Sequence, residues 1–91
     1  MKKIIYPGTF DPIHNGHIDI ATRASKLFDE LEFVVAINAD KTPLFSIENR
    51  LNMIRESVQH LDNVKVSEFK GLVVDHAVET GAHAIIRGLR H

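Results

Sequence analysis

His14 and His17 stand three residues apart in the string Gly8-Thr9-Phe10-Asp11-Pro12-Ile13-His14-Asn15-Gly16-His17. At a helix start that spacing brings both imidazoles to one side, near backbone N–H groups that lack partners and carry partial positive charge. Such an end attracts phosphate. Gly8 lets the backbone come close to a ligand, Thr9 adds a hydroxyl, and Gly16 keeps the helix start clear of a side chain. Two other readings stand beside this one: a turn with two exposed histidines, and a metal pair for which no third ligand is visible. Asp11 either orients a histidine or Lys41, or closes the turn. Arg87 ends an apolar run, where a charge is costly unless paired, so it asks for a bound phosphate or for a carboxylate such as Asp11. His60, His76 and His83 are scattered at predicted helix ends and a strand start, and read as structural or surface residues.

The elements that must position these groups alternate. Ile4-Ile5-Tyr6, ended by Pro7-Gly8, predicts a buried strand. Gly16 to Phe28 predicts a helix with Ile20, Ala24 and Leu27 on one face, and likewise Ala21, Ala24 and Phe28. Phe33 to Ile37 is β-branched and apolar, a second strand. Ser46 suits an N-cap, with Glu48 in the first turn, and Ile47, Leu51, Ile54, Val58 and Leu61 repeat at helical spacing. Val64-Lys65-Val66 predicts a third strand and Leu72 to Glu79 a third helix, closed by Gly81. Ala84-Ile85-Ile86 predicts a fourth strand. The order β-α-β-α-β-α-β implies a Rossmann-like parallel sheet with right-handed crossovers and helices on both faces. Ligands bind outside the carboxyl ends of such strands, and every motif above falls at one. A parallel sheet needs cover on both faces, and no helix follows the fourth strand. The expectation is therefore part of a larger domain, or cover from another chain.

Ninety-one residues make one domain at most, and 44% apolar content allows a core. Eleven basic and 12 acidic residues give a net charge of −1, which argues against nucleic-acid or membrane-surface partners but leaves room for a small anion. Without cysteine there is no disulfide framework and no thiolate metal site. No apolar run approaches ~18 residues, and the N-terminus is too short for a signal peptide, so a soluble cytoplasmic protein is expected.

The whole first-loop string resembles the His-x-Gly-His signature of the nucleotidylyltransferase superfamily, whose histidines contact the phosphates of ATP or CTP. Nicotinate-mononucleotide adenylyltransferases carry a string close to Asp11-Pro12-Ile13-His14-Asn15-Gly16-His17. Three segments look more like phosphopantetheine adenylyltransferase. They are Tyr6-Pro7-Gly8-Thr9-Phe10-Asp11-Pro12; Lys41 with Pro43, Phe45, Glu48 and Arg50; and Ile86-Arg87-Gly88-Leu89-Arg90. The likeness runs through essentially all 91 residues. One departure is His14, where that family usually has threonine. The family also has a second half, with a further helix, a fifth strand and a serine-rich ATP-phosphate motif. Residues 1–91 thus resemble the N-terminal part of one nucleotidylyltransferase domain, truncated after the fourth strand, and alone would be inactive or badly impaired.

The resemblance implies adenylyl transfer from ATP to 4′-phosphopantetheine, giving dephospho-coenzyme A and pyrophosphate. Alternatives are a nicotinate-mononucleotide or cytidylyl transferase of the same fold, or a non-catalytic nucleotide-binding fragment. Two anions must meet, so positioning and charge stabilisation matter more than a nucleophile. By resemblance His17 is catalytic, and Thr9, Phe10, His14, His17, Gly88, Leu89 and Arg90 bind ATP. Thr9, Lys41, Val73 and Arg87 bind the acceptor, although Val73 fits plain helix packing as well. Mg²⁺ is expected to ride on the nucleotide, with no protein ligands of its own. The resemblance also implies a homo-oligomer, a hexamer.

Overall fold

The computed structural model describes residues 1–37 and 43–87. Seven elements follow one another: β1 (Lys3–Gly8), α1 (Asn15–Leu27), β2 (Glu30–Ala36), α2 (Ile47–Val58), β3 (Val64–Phe69), α3 (Val73–Thr80) and β4 (Ala84–Ile85). The predicted alternation holds throughout. Ser46 caps α2 by accepting from Asn49 N–H at 3.1 Å, and α3 closes on Gly81 in the left-handed region. β1 runs on through Pro7 and Gly8, two residues past the predicted end. Leu61 lies beyond α2 but still packs on the core.

The four strands form one parallel sheet in the order β3-β2-β1-β4. The chain steps outward from β1 through β2 to β3, then returns to the other side of β1. That reversal puts α1 and α2 on one face and α3 on the other. Ile4, Tyr6, Leu31, Phe33 and Val35 meet Ala21, Ala24, Ile54 and Val58 on the first face. Ile5 and Val34 meet Ala77 on the second, with Val73, Phe69 and Ile85 alongside. Helices thus cover both faces, as expected. Strand order reverses between β1 and β4, and in sheets of this kind ligands bind at such a point, outside the carboxyl ends of the strands.

β2 begins at Glu30, three residues earlier than its apolar run suggests. Leu31 and Phe33 face the first core, so Glu30 and Glu32 face the side of α3. There Lys3 Nζ lies 3.2 Å from Glu30 and 2.7 Å from Glu32, while Lys65 Nζ reaches Glu30 at 3.1 Å. His76 Nε2 donates to Glu32 at 3.0 Å, and the Ser67 hydroxyl donates to the same carboxylate. Burial alone would push the Glu32 carboxyl up. The hydrogen bonds from Lys3, Ser67 and His76, with the charge of Lys3, outweigh it and bring it down to about 2. Burial likewise pushes the Lys3 ammonium down, but Glu32 and Glu30 more than restore it and leave it raised. His76, expected as structural or surface, is structural: it is buried and closes this polar ladder.

A carboxyl more acidic in the fold than in the unfolded chain stabilises the fold above its unfolded value, 4.5, and that contribution is lost as pH falls toward 2. At about 1.4 kcal/mol per tenfold change in acidity, it amounts to roughly 3 kcal/mol. Urea unfolding of wild type should therefore weaken steeply between these pH values. Glu32→Gln should be less stable at pH 7 and show a much flatter acid limb. An unchanged acid limb would rule out Glu32 as its origin.

Candidate functional site

α1 begins with a reciprocal pair of hydrogen bonds made by two histidines. His14 Nδ1 accepts from the Gly16 N–H at 3.1 Å, and His17 Nδ1 accepts from the His14 N–H at 3.1 Å. The two rings stack, with centroids 3.6 Å apart and planes 24° from parallel. A nitrogen that accepts from an N–H carries no proton, so each neutral ring holds its hydrogen on Nε2. The helix start is thereby capped from inside, and two Nε2–H donors remain for a ligand. His17 does serve as a cap, but with only one of its two nitrogens.

This arrangement alters the reading of Gly16. A Cβ there would lie 2.9 Å from His14 Cε1 and 3.0 Å from Nδ1. The space is taken up by the His14 ring rather than left open for phosphate. At Gly8 a Cβ would press on the Phe10 ring at 3.1 Å. Phe10 is itself only 3% exposed. Its ring makes edge contacts with His17, Phe33 and Tyr6 at centroid distances of 4.9, 5.1 and 5.3 Å. Phe10 is the floor on which His17 rests. Its φ of +46° is a costly conformation for a bulky side chain.

Two long-range tethers hold the loop. The Asp11 carboxylate accepts from Leu44 N–H at 2.6 Å and from Phe45 N–H at 2.8 Å. Among the described residues it orients no histidine; it fixes the loop to the segment that leads into α2. Arg50, from α2, donates through Nη1 to the Thr9 carbonyl at 3.0 Å. Arg50 is 6% exposed, and sequence reasoning gave it no role. The available signal was its place three residues after Ile47, a charge within the apolar stripe.

Thr9, on the exposed tip, and the two histidines follow the end of β1. Arg87 follows β4, beside β1, and is exposed, with no carboxylate partner among the described residues. Its alternative reading, an ion pair with Asp11, is not what the structure contains. Val73 opens α3 after β3 and packs against the Ile5 and Val34 cluster. Thr9, His14, His17, Val73 and Arg87 thus share the rim at the carboxyl ends of the strands. Lys41, Gly88, Leu89 and Arg90 lie outside the described residues. His60 is exposed past α2, and His83 Nδ1 accepts from Lys3 N–H at 3.2 Å, far from this rim.

Among the described residues no group of three His, Cys, Asp or Glu side chains could hold a metal ion. Each oxygen of the loop's own carboxylate accepts one backbone N–H. Among the described residues no helix is long and apolar enough to cross a membrane.

The family model described as cytidylyltransferase-like matches residues 5–91. The chain is similar to the phosphopantetheine adenylyltransferase of Dictyoglomus turgidum, at 52% identity over 99% of this chain and 56% of that protein. It is also similar to the phosphopantetheine adenylyltransferase of Herpetosiphon aurantiacus, at 57% identity over 99% of this chain and 54% of that protein. The chain spans about half the length of these curated relatives. Among solved structures it resembles the lipopolysaccharide core biosynthesis protein from Thermoplasma volcanium GSS1. There the TM-score is 0.71 at 30% identity, over 93% of this chain and 72% of the other.

Burial first, and then the charge of His14, disfavour the protonated form of His17 and lower its pKa below 6.5. Protonation at Nδ1 would also cost the cap. An NMR titration should therefore find His17 neutral to lower pH than an ordinary histidine. His14→Thr keeps a capping oxygen but removes the neighbouring imidazole. It should raise the His17 midpoint part of the way toward 6.5. A midpoint at or above 6.5 in the wild type would contradict the arrangement.

Proposed function

The chain belongs to the cytidylyltransferase-like family, and on that footing we propose that it is the N-terminal part of an adenylyltransferase that joins ATP to 4′-phosphopantetheine. The observation that carries this reading is the stacked pair of imidazoles whose Nδ1 atoms are held by backbone, leaving two Nε2–H donors at a helix start. The choice of acceptor is supported by the relatives at 52% and 57% identity.

In this reading an oxygen of the acceptor's phosphate attacks the α-phosphorus of ATP. A new P–O bond forms, the bond between the α-phosphorus and the bridging oxygen breaks, and pyrophosphate leaves with that electron pair. Charge grows on the α-phosphate oxygens as the two anions meet, so fixed donors aimed there contribute most. The neutral His17 donates from Nε2, with His14 beside it on the departing phosphates. The Thr9 hydroxyl reaches the nucleotide and the acceptor's phosphate. Arg87, exposed beside the end of β1, holds the acceptor's phosphate, joined by Lys41, while Val73 lies along the pantetheine arm. Gly88, Leu89 and Arg90 complete the nucleotide contacts. Magnesium enters as part of the MgATP substrate. A cytoplasmic homo-oligomer, a hexamer by family likeness, belongs to the same reading.

The intact protein supplied with MgATP should release pyrophosphate with 4′-phosphopantetheine and not with nicotinate mononucleotide. Turnover with the mononucleotide alone would transfer the reading to that activity. ATP binding by calorimetry without turnover on any acceptor would make it a binding module. His17→Asn preserves an oxygen to accept from the His14 N–H but loses the Nε2–H donor. It should lower kcat by about 100-fold or more with a small change in ATP affinity. Turnover within about twofold of wild type, under ~0.5 kcal/mol, would remove His17 from this role.

A further inference from the structure

We infer that Arg50 is a positioning residue, whose guanidinium holds Thr9 and keeps the strained Phe10 turn in the shape the site needs. Three facts count against Arg50 as a device for stability. It is buried, with no carboxylate partner among the described residues. Its Nε has no hydrogen-bond partner among the described residues. It also sits at the fourth position of α2, near the end where the helix disfavours a cation. A buried charge held this way costs stability relative to an apolar side chain of similar size.

What Arg50 does is local. Its Nη1 donates to the Thr9 carbonyl, immediately before Phe10 with φ of +46°. Asp11, immediately after Phe10, is held by Leu44 and Phe45 N–H. The strained residue is thus clamped on both sides from the region that starts α2. Strain of this kind persists only when its surroundings over-determine it. Release on the Thr9 side would let Phe10 relax, moving the Thr9 hydroxyl and the floor beneath His17. Displacements of about 1 Å cost ~100-fold in rate when chemistry depends on alignment.

The kinetic part of the test rests on the adenylyl-transfer reading; the exchange part does not. In the intact protein, Arg50→Met should quicken amide hydrogen exchange at residues 9–11 at least about tenfold. Exchange in β2 should stay as in wild type, and the urea midpoint should stay level or rise. Its kcat should fall about 30-fold, with KM for ATP changed less than about threefold. Arg50→Lys, which can still donate to the Thr9 carbonyl, should restore exchange and kcat to within about fivefold. Faster exchange throughout the chain, a falling urea midpoint or failure to fold would make Arg50 merely structural. Unchanged exchange at residues 9–11, or no restoration by lysine, would overturn the inference. If wild type transfers no adenylyl group, the proposed activity fails, while the exchange result still decides the role of Arg50.

Discussion

Everything on the rim depends on how the first turn of α1 is closed. A helix start leaves backbone N–H groups without partners, and serine, threonine or aspartate commonly supplies the missing oxygen. Here two imidazoles do it for each other's segment. His14 bonds to Gly16, and His17 bonds back to His14. The cap fixes more than the backbone. It decides which nitrogen of each ring carries the proton, and the stack decides where both rings point. The same contact that begins the helix thereby leaves two Nε2–H donors side by side at its start.

The cap is only as firm as the loop below it. Tyr6, Phe10 and Phe33 interlock under His17, joining the end of β1 to the centre of the sheet. Asp11 and Arg50 tie the same loop to the start of α2. The reversal of strand order at β1 and β4 then sets Ile86 and Arg87 beside the end of β1. Far from the rim, the Lys3, Glu30 and Glu32 ladder fastens the opposite ends of β1 and β2 beneath α3. Rigid support and candidate site thus lie at opposite ends of the same strands.

Much of this was legible in the sequence because local rules and global fold agree. The apolar stripe through Ile47, Leu51, Ile54 and Val58, the Ser46 cap and Gly81 each mark an element the structure contains. The first-loop string pointed to the candidate site because its hydroxyl and histidines cluster at one strand end. What stayed hidden depends on contacts between distant residues. Glu30 and Glu32 look like loop residues until Lys3 and Lys65 are seen across the sheet from them. Arg50 looks like a surface charge until Thr9 is found above it. Gly16 suggested open space, whereas the neighbouring imidazole fills it. For the two glutamates and Arg50 the alternation or stripe held the clue, a charged residue on the face that must be buried.

The most direct test of the central claim is the proton's position on each ring. Long-range proton–nitrogen correlation spectra at pH 7 report separately on Nδ1 and Nε2 of His14 and His17. The structure requires both Nδ1 atoms to be bare and both Nε2 atoms to carry hydrogen. A proton on either Nδ1, or shifts averaged between the two tautomers, would contradict it.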